Sequence, residues 1–152
     1  MSKNKKIAIL GGGESGVGTA ILALKQGYDV FVSDFGKVKD KYKAELEKLG
    51  VDWEEAGHTE SKIMDASVVM KSPGIPDNAA LVKKIKEQGI PVISEIEFAA
   101  EYTSAKIIGI TGSNGKTTIT KWIYHILKHA GLNVSMAGNV GDSFAKQVAG
   151  DP

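Results

Sequence analysis

Two glycine-rich turns constrain this chain more than any other feature. Gly11-Gly12-Gly13-Glu14-Ser15-Gly16 follows the apolar run Lys6–Leu10, and Thr111-Gly112-Ser113-Asn114-Gly115-Lys116-Thr117-Thr118 follows Lys106–Ile110. Each turn leads into a helical pattern. An apolar run, a glycine turn and a helix, in that order, open a β-α-β unit, so a mostly parallel sheet covered by helices is expected. Further strands are predicted at Asp29–Ser33, Val51–Glu54, Ala66–Met70 and Pro91–Ile93. Helices are predicted at Val17–Gln26, Lys39–Leu49, Asn78–Gln88 and Ser94–Tyr102. Gly27, Gly50, Gly89 and Gly131 fall where helices end on a left-handed residue.

The spacing divides the chain into residues 1–103, one α/β domain with a Rossmann-like sheet and helices on both faces, and residues 104–152. The second part reads as the first βαβ unit of a P-loop ATP-binding domain: strand Lys106–Ile110, a helix to Ala130, and strand Leu132–Met136. Ile119, Trp122, Ile123, Ile126, Leu127 and Ala130 form one helical stripe, and Trp122 is expected in a core. One βαβ unit is too little for a separate doubly wound domain, so the sequence is expected to be cut short.

Composition narrows the function. Over 152 residues, 19 Lys and Arg nearly balance 18 Asp and Glu, which argues against a general nucleic-acid binder. The absence of cysteine removes disulfides, thiolate metal sites and a thiol nucleophile. No apolar run approaches the ~20 residues of a membrane span. The apolar part of the N-terminus, Ile7–Leu10, is too short for a signal peptide. A cytoplasmic protein with no nucleic-acid or membrane partner is expected.

The first turn satisfies G-x-G-x-x-G in its strand-to-helix context. Gly11 permits the tight turn, Gly13 lets a diphosphate approach the main chain, and Gly16 lets the helix pack closely. The helix start offers unpaired N–H groups and a positive dipole end to an anion. Asp34 ends the second strand, where a carboxylate can accept from a ribose hydroxyl or a base N–H. Glu14 must turn its carboxylate away from any diphosphate.

The second turn has the chemistry of a phosphate cradle. Its main-chain amides surround phosphate oxygens, Lys116 reaches the β/γ oxygens, and the Thr117 hydroxyl suits Mg²⁺. The general P-loop pattern would put glycine where Ile110 stands, so only its G-K-T end is kept.

Taken together, the two turns resemble those of the Mur ligases of bacterial cell-wall synthesis. The family's ATP loop, T-G-[TS]-N-G-K-[ST], matches Thr111–Thr117 position by position. Ser72-Pro73-Gly74-Ile75, Gly138-Asn139-Val140-Gly141 and Ser94-Glu95-Ile96-Glu97 resemble further family segments in the same order. Within the family the chain is similar to the branch that joins D-glutamate to UDP-N-acetylmuramoyl-L-alanine. The resemblance implies a three-domain ligase, monomeric as the whole protein and dependent on ATP and Mg²⁺. This chain would carry its first domain and the opening of its second, and would be inactive alone. It implies that Gly112, Ser113, Asn114, Gly115 and Thr118 cradle ATP, that Lys116 is catalytic, and that Thr117 holds the metal. It places Glu14, Ser15 and Gly16 at the UDP diphosphate, Asp34 and Phe35 at the uracil, and Gly74 and Asn139 along the substrate path. A nicotinamide-dependent oxidoreductase would explain the first turn and Asp34 but not Lys116-Thr117. A non-catalytic nucleotide-binding module is the third alternative.

Other residues receive simpler readings. His125 and His129 lie off the apolar stripe beside lysines and are expected to face solvent. Glu95 and Glu97 could form a carboxylate pair, but Ser94-x-x-Glu97 is also a capping box, and the cap is the favoured reading. The lysines of 37–48 read as a solvated helix face. His58 falls in a polar loop with no assigned role, and Trp53 has no clear place.

Overall fold

A computed structural model describes residues 5–150 of the chain. Its strands β1 (Lys6–Leu10), β2 (Asp29–Ser33), β3 (Asp52–Glu54), β4 (Val68–Lys71) and β5 (Val92–Ile93) form one sheet in the order β3-β2-β1-β4-β5. Every pairing is parallel. The helices are α1 (Glu14–Lys25), α2 (Asp40–Leu49), α3 (Glu60–Met64), α4 (Ala80–Glu87), α5 (Glu95–Ala100), α6 (Lys116–His129) and α7 (Phe144–Gly150). The α/β class and all five strands expected in the first 103 residues are borne out, with boundary shifts of one or two residues.

Alternation along the strands sorts the core into two layers. Ile7, Ile9, Val30, Val32 and Met70 point to one face, where they pack with Val17, Ala20 and Leu22 of α1, Leu46 of α2, Phe98 of α5 and Ala145 of α7. Ala8, Leu10, Phe31 and Val69 point to the other, against Ile63 of α3 and Ile85 of α4. A sheet buried on both faces needs continuous apolar strands, which is how KIAIL and DVFVS read. Trp53 packs half-buried at the edge of the first layer. Gly27, Gly50, Gly89 and Gly131 all adopt positive φ behind the helices they end.

Two strand expectations are corrected. Residues 106–110 and 132–136 form no strand. A strand gains its hydrogen bonds only from a neighbour, and no described strand lies beside either segment. Ile107, Ile108 and Leu132 are correspondingly exposed. The stripe on α6 has the expected helical period, but none of its residues is buried. Trp122, expected in a core, is 68% exposed. The layer such a stripe would pack on is not among the described residues.

Helix α7 returns to the first sheet and packs against α1 and α5, burying Ala145, Val148 and Ala149. Its start is held by Glu95, only 6% exposed. The Ser143 hydroxyl donates to Glu95 Oε1 at 2.7 Å and the Ala145 N–H donates to the same oxygen at 3.0 Å. Ser143 Oγ also accepts the Lys146 N–H at 3.1 Å, so it caps the helix while bonded to the carboxylate. Lys25 Nζ donates to the Ala149 carbonyl at the far end. Gly18 of α1 makes this approach possible, since a Cβ there would overlap the Ser143 side chain and reach 3.2 Å from Lys146 N. Glu95→Ala strands two donors and is expected to cost about 2 kcal/mol of unfolding free energy. Glu95→Gln, which keeps an acceptor, should cost less. Denaturant melts give the comparison, and an alanine variant as stable as the parent would deny the carboxylate this role.

Candidate nucleotide-binding sites

The first site lies where the sheet changes direction. From β1 the chain builds outward through β2 and β3, then crosses to the other side of β1 for β4 and β5. The connections leaving β1 and β4 therefore part company and leave a crevice at the carboxyl ends of adjacent strands. The register Leu10↔Lys71 sets Gly11 beside Ser72, and the Ser72 N–H donates to the Leu10 carbonyl at 2.9 Å. Lys71 Nζ donates to the Ile75 carbonyl at 2.7 Å and braces the Ser72–Pro76 turn. The resulting cavity of about 770 Å³ is lined by Gly11, Gly13, Asp34, Phe35, His58 and Gly74, among others.

Asp34 pins the walls of this cavity. Oδ2 accepts the Gly12 N–H at 2.7 Å and Oδ1 accepts the Gly36 N–H at 2.8 Å. Both oxygens thus hold main chain, one on each side, and the carboxylate fixes the glycine turn to the end of β2. A Cβ at Gly13 would meet nothing within 4 Å, so the main chain there is open to an approaching group. The first turn of α1 has no side-chain cap, which leaves its amides available. Glu14 accepts from the Tyr42 hydroxyl at 2.9 Å, and its carboxylate is held by α2. Ser15 and Gly16 stand in that first turn and do not line the cavity; Gly16 is buried. Phe35 is 77% exposed with its ring 5.9 Å from the His58 ring.

His58 and Ser33 went unread in the sequence. Parallel pairing of β2 with β3 sets Ser33 opposite Glu54, and the chain turns back so that His58 meets both strand ends. His58 Nδ1 lies 2.6 Å from Ser33 Oγ, and the Ser33 hydroxyl donates to Glu54 Oε1 at 2.7 Å. The Thr59 N–H and hydroxyl also donate to Glu54, at 2.6 and 2.5 Å. Burial works against a charged Glu54, but these donors outweigh it and hold the carboxyl below its ordinary range.

The second site is the turn at residues 111–115 and the start of α6. The turn wraps ahead of the helix as expected, with Gly115 at φ 76° in the N-cap position. Residues 111–118 are exposed, the first turn of α6 has no acidic residue, and no side chain caps it. Lys116 Nζ donates to the Gly112 carbonyl, folded over its own loop. Exposed amides, one ammonium group, the Thr117 and Thr118 hydroxyls and no carboxylate make a donor set that fits a triphosphate and its cation. Asn139 lines a separate cavity of about 580 Å³ together with Lys116 and Thr117, not the cavity that holds Gly74.

His125 and His129 are exposed as expected, and the Ser94–Glu97 capping box is formed in both directions. No cluster of three His, Cys, Asp or Glu able to hold a metal occurs among the described residues. No helix among them is long and apolar enough to cross a membrane.

The geometry agrees with comparisons to known proteins. A family profile described as the MurD N-terminal domain matches residues 6–81, and one described as the Mur ligase middle domain matches residues 110–149. UDP-N-acetylmuramoylalanine–D-glutamate ligase of Christiangramia forsetii is 63% identical over 145 residues, 95% of this chain and 33% of that protein. The ligase of the same name from Bacteroides fragilis is 60% identical over the same shares. The chain thus spans about a third of the length of these curated relatives. Among solved structures, UDP-N-acetylmuramate:L-alanyl-gamma-D-glutamyl-meso-diaminopimelate ligase from Neisseria meningitides superimposes with a TM-score of 0.62 at 27% identity, over 93% of this chain and 46% of that one. The chain belongs to the Mur ligase family, on its MurD branch.

Proposed function

We propose that residues 1–103 bind the nucleotide end of UDP-N-acetylmuramoyl-L-alanine and that residues 104–152 open the ATP-binding domain of a ligase that adds D-glutamate to it. Two uncapped helix starts behind glycine turns, on separate parts of one chain, carry this reading. One nucleotide site would leave the other turn without purpose. Bound Mg-ATP would supply a phosphoryl group to the terminal carboxylate of the substrate, leaving ADP and an acyl phosphate; the D-glutamate amine would then attack the acyl carbon, forming the amide as inorganic phosphate leaves.

The side chains present do the positioning. The amides of Gly112, Ser113, Asn114, Gly115 and Thr118 receive phosphate oxygens, Lys116 swings from the Gly112 carbonyl to the β/γ charge, and Thr117 offers its hydroxyl to Mg²⁺. The first-turn amides of Glu14, Ser15 and Gly16 receive the UDP diphosphate, with the Glu14 carboxylate held aside by Tyr42. Asp34 orders the uracil end through the Gly12 and Gly36 amides, Phe35 offers its ring, and Gly74 and Asn139 border the substrate path. The whole protein acts as a cytoplasmic monomer in this reading.

Calorimetric titration of the chain with UDP and NADH separates this from a dehydrogenase. UDP is expected to bind more tightly. Tighter NADH binding would overturn the reading.

A further inference from the structure

We propose that His58 reads the base in the first cavity, presenting its Nε2 lone pair to a ring N–H and so selecting a uracil-type base over a cytosine-type one. This rests on the reading of that cavity as a pyrimidine nucleotide site and adds to it a residue that selects the base.

Hydrogen-bond polarity carries the inference. Ser33 is fully buried and its oxygen has two partners, Glu54 Oε1 at 2.7 Å and His58 Nδ1 at 2.6 Å. A hydroxyl has one proton to give. Glu54, held ionised by the Thr59 N–H and hydroxyl, can only accept, so the Ser33 proton goes to Glu54. Ser33 Oγ then faces His58 with lone pairs only, and Nδ1 must carry the hydrogen. In the neutral imidazole Nε2 is left as an acceptor. No described residue bonds to Nε2, and His58 is among the residues lining the cavity with Phe35 and Asp34, its ring 5.9 Å from that of Phe35.

The same polarity states what the cavity takes. Uracil carries a hydrogen on N3, which an acceptor welcomes. Cytosine carries a lone pair there, which would face the lone pair of Nε2. The Asp34 oxygens already hold the Gly12 and Gly36 amides, so the imidazole is the less committed acceptor at this end of the cavity.

Calorimetry of the full chain with UMP and CMP tests the proposal. The parent is expected to favour UMP by about tenfold, the worth of one hydrogen bond. His58→Phe keeps a flat ring beside Phe35 but has no nitrogen, and should bring the two affinities within about threefold. His58→Gln restores an acceptor and should recover part of the preference, and Ser33→Ala, which unlocks the tautomer, should weaken it. Thermal melts confirm that each variant is folded. A folded His58→Phe chain that keeps the full preference, or a parent that binds UMP and CMP equally, overturns the inference alone. A parent that binds neither UMP nor UDP overturns the site reading as well.

Discussion

Lys116→Ala is expected to lower the turnover of the whole ligase by about a thousandfold, with little change in stability. In phosphoryl transfer the protein contributes mainly positioning and neutralisation of charge on the moving group, and loss of one preorganised donor to that charge typically costs 10²–10³. Lys116 is the only cation in the turn at 111–118, and the first turn of α6 brings no other. Its one bond, to the Gly112 carbonyl, ties the loop to itself at an exposed position, so truncation removes little that supports the fold. Steady-state kinetics and a thermal melt read the two effects apart. Turnover within tenfold of the parent would remove the lysine from the chemistry. A large fall in melting temperature would mean that it serves the fold.

Gly16→Ala is expected to remove about 2–3 kcal/mol of stability, roughly a 5–10 °C fall in melting temperature, and to weaken UDP binding at least tenfold. Helix propensity alone predicts the opposite sign, because alanine is favoured over glycine inside a helix by about 1 kcal/mol. Space decides between them. A Cβ at Gly16 would overlap the Gly11 carbonyl oxygen and stand 3.4 Å from Ile9 Cγ2. The first obstacle is main chain, so relief requires the whole turn to move. That turn is bonded to Asp34 through Gly12 and to the Ser33 carbonyl through Gly11, and moving it opens the cavity wall. A variant more stable than the parent would sink the steric account.

Both substitutions fall on residues that the sequence singled out, and the reason is local. Glycine turns, helix periods and strand-length apolar runs are patterns within a dozen residues, and the five-stranded sheet was legible from them. Long-range pairing left no such mark. His58 sits in a polar stretch and gains a role only because β2 and β3 pair with Ser33 opposite Glu54. Glu95 was weighed only as a partner to Glu97; Glu97 closes the capping box as expected, while Glu95 turns inward to Ser143, a contact 48 residues away that no local pattern marks. Helix α3 has five residues, too few for a period. Helix α7 follows closely on the Gly138–Gly141 segment, and its seven residues drew no assignment from the sequence. The α6 stripe was read correctly as a period and wrongly as a buried face, because a pattern states which side is apolar and not what covers it. Asp34 was assigned to a ligand from its place at the end of β2; the bonds of its oxygens to the Gly12 and Gly36 amides, which hold the cavity wall, could not be read from spacing.

The return of α7 to the first sheet changes the mechanics of everything between. Residues 101–143 leave from α5 and come back beside it, with Glu95 and Ser143 bonded at the two ends. The turn at residues 111–115 therefore rides on a closed loop of roughly forty residues and not on a dangling arm, and closing a loop of that length limits how far its midpoint can wander. Lys116 is thereby kept within a bounded distance of the crevice at β1 and β4. The local concentration of one glycine turn around the other is set by a hydrogen-bonded clasp as well as by the covalent chain.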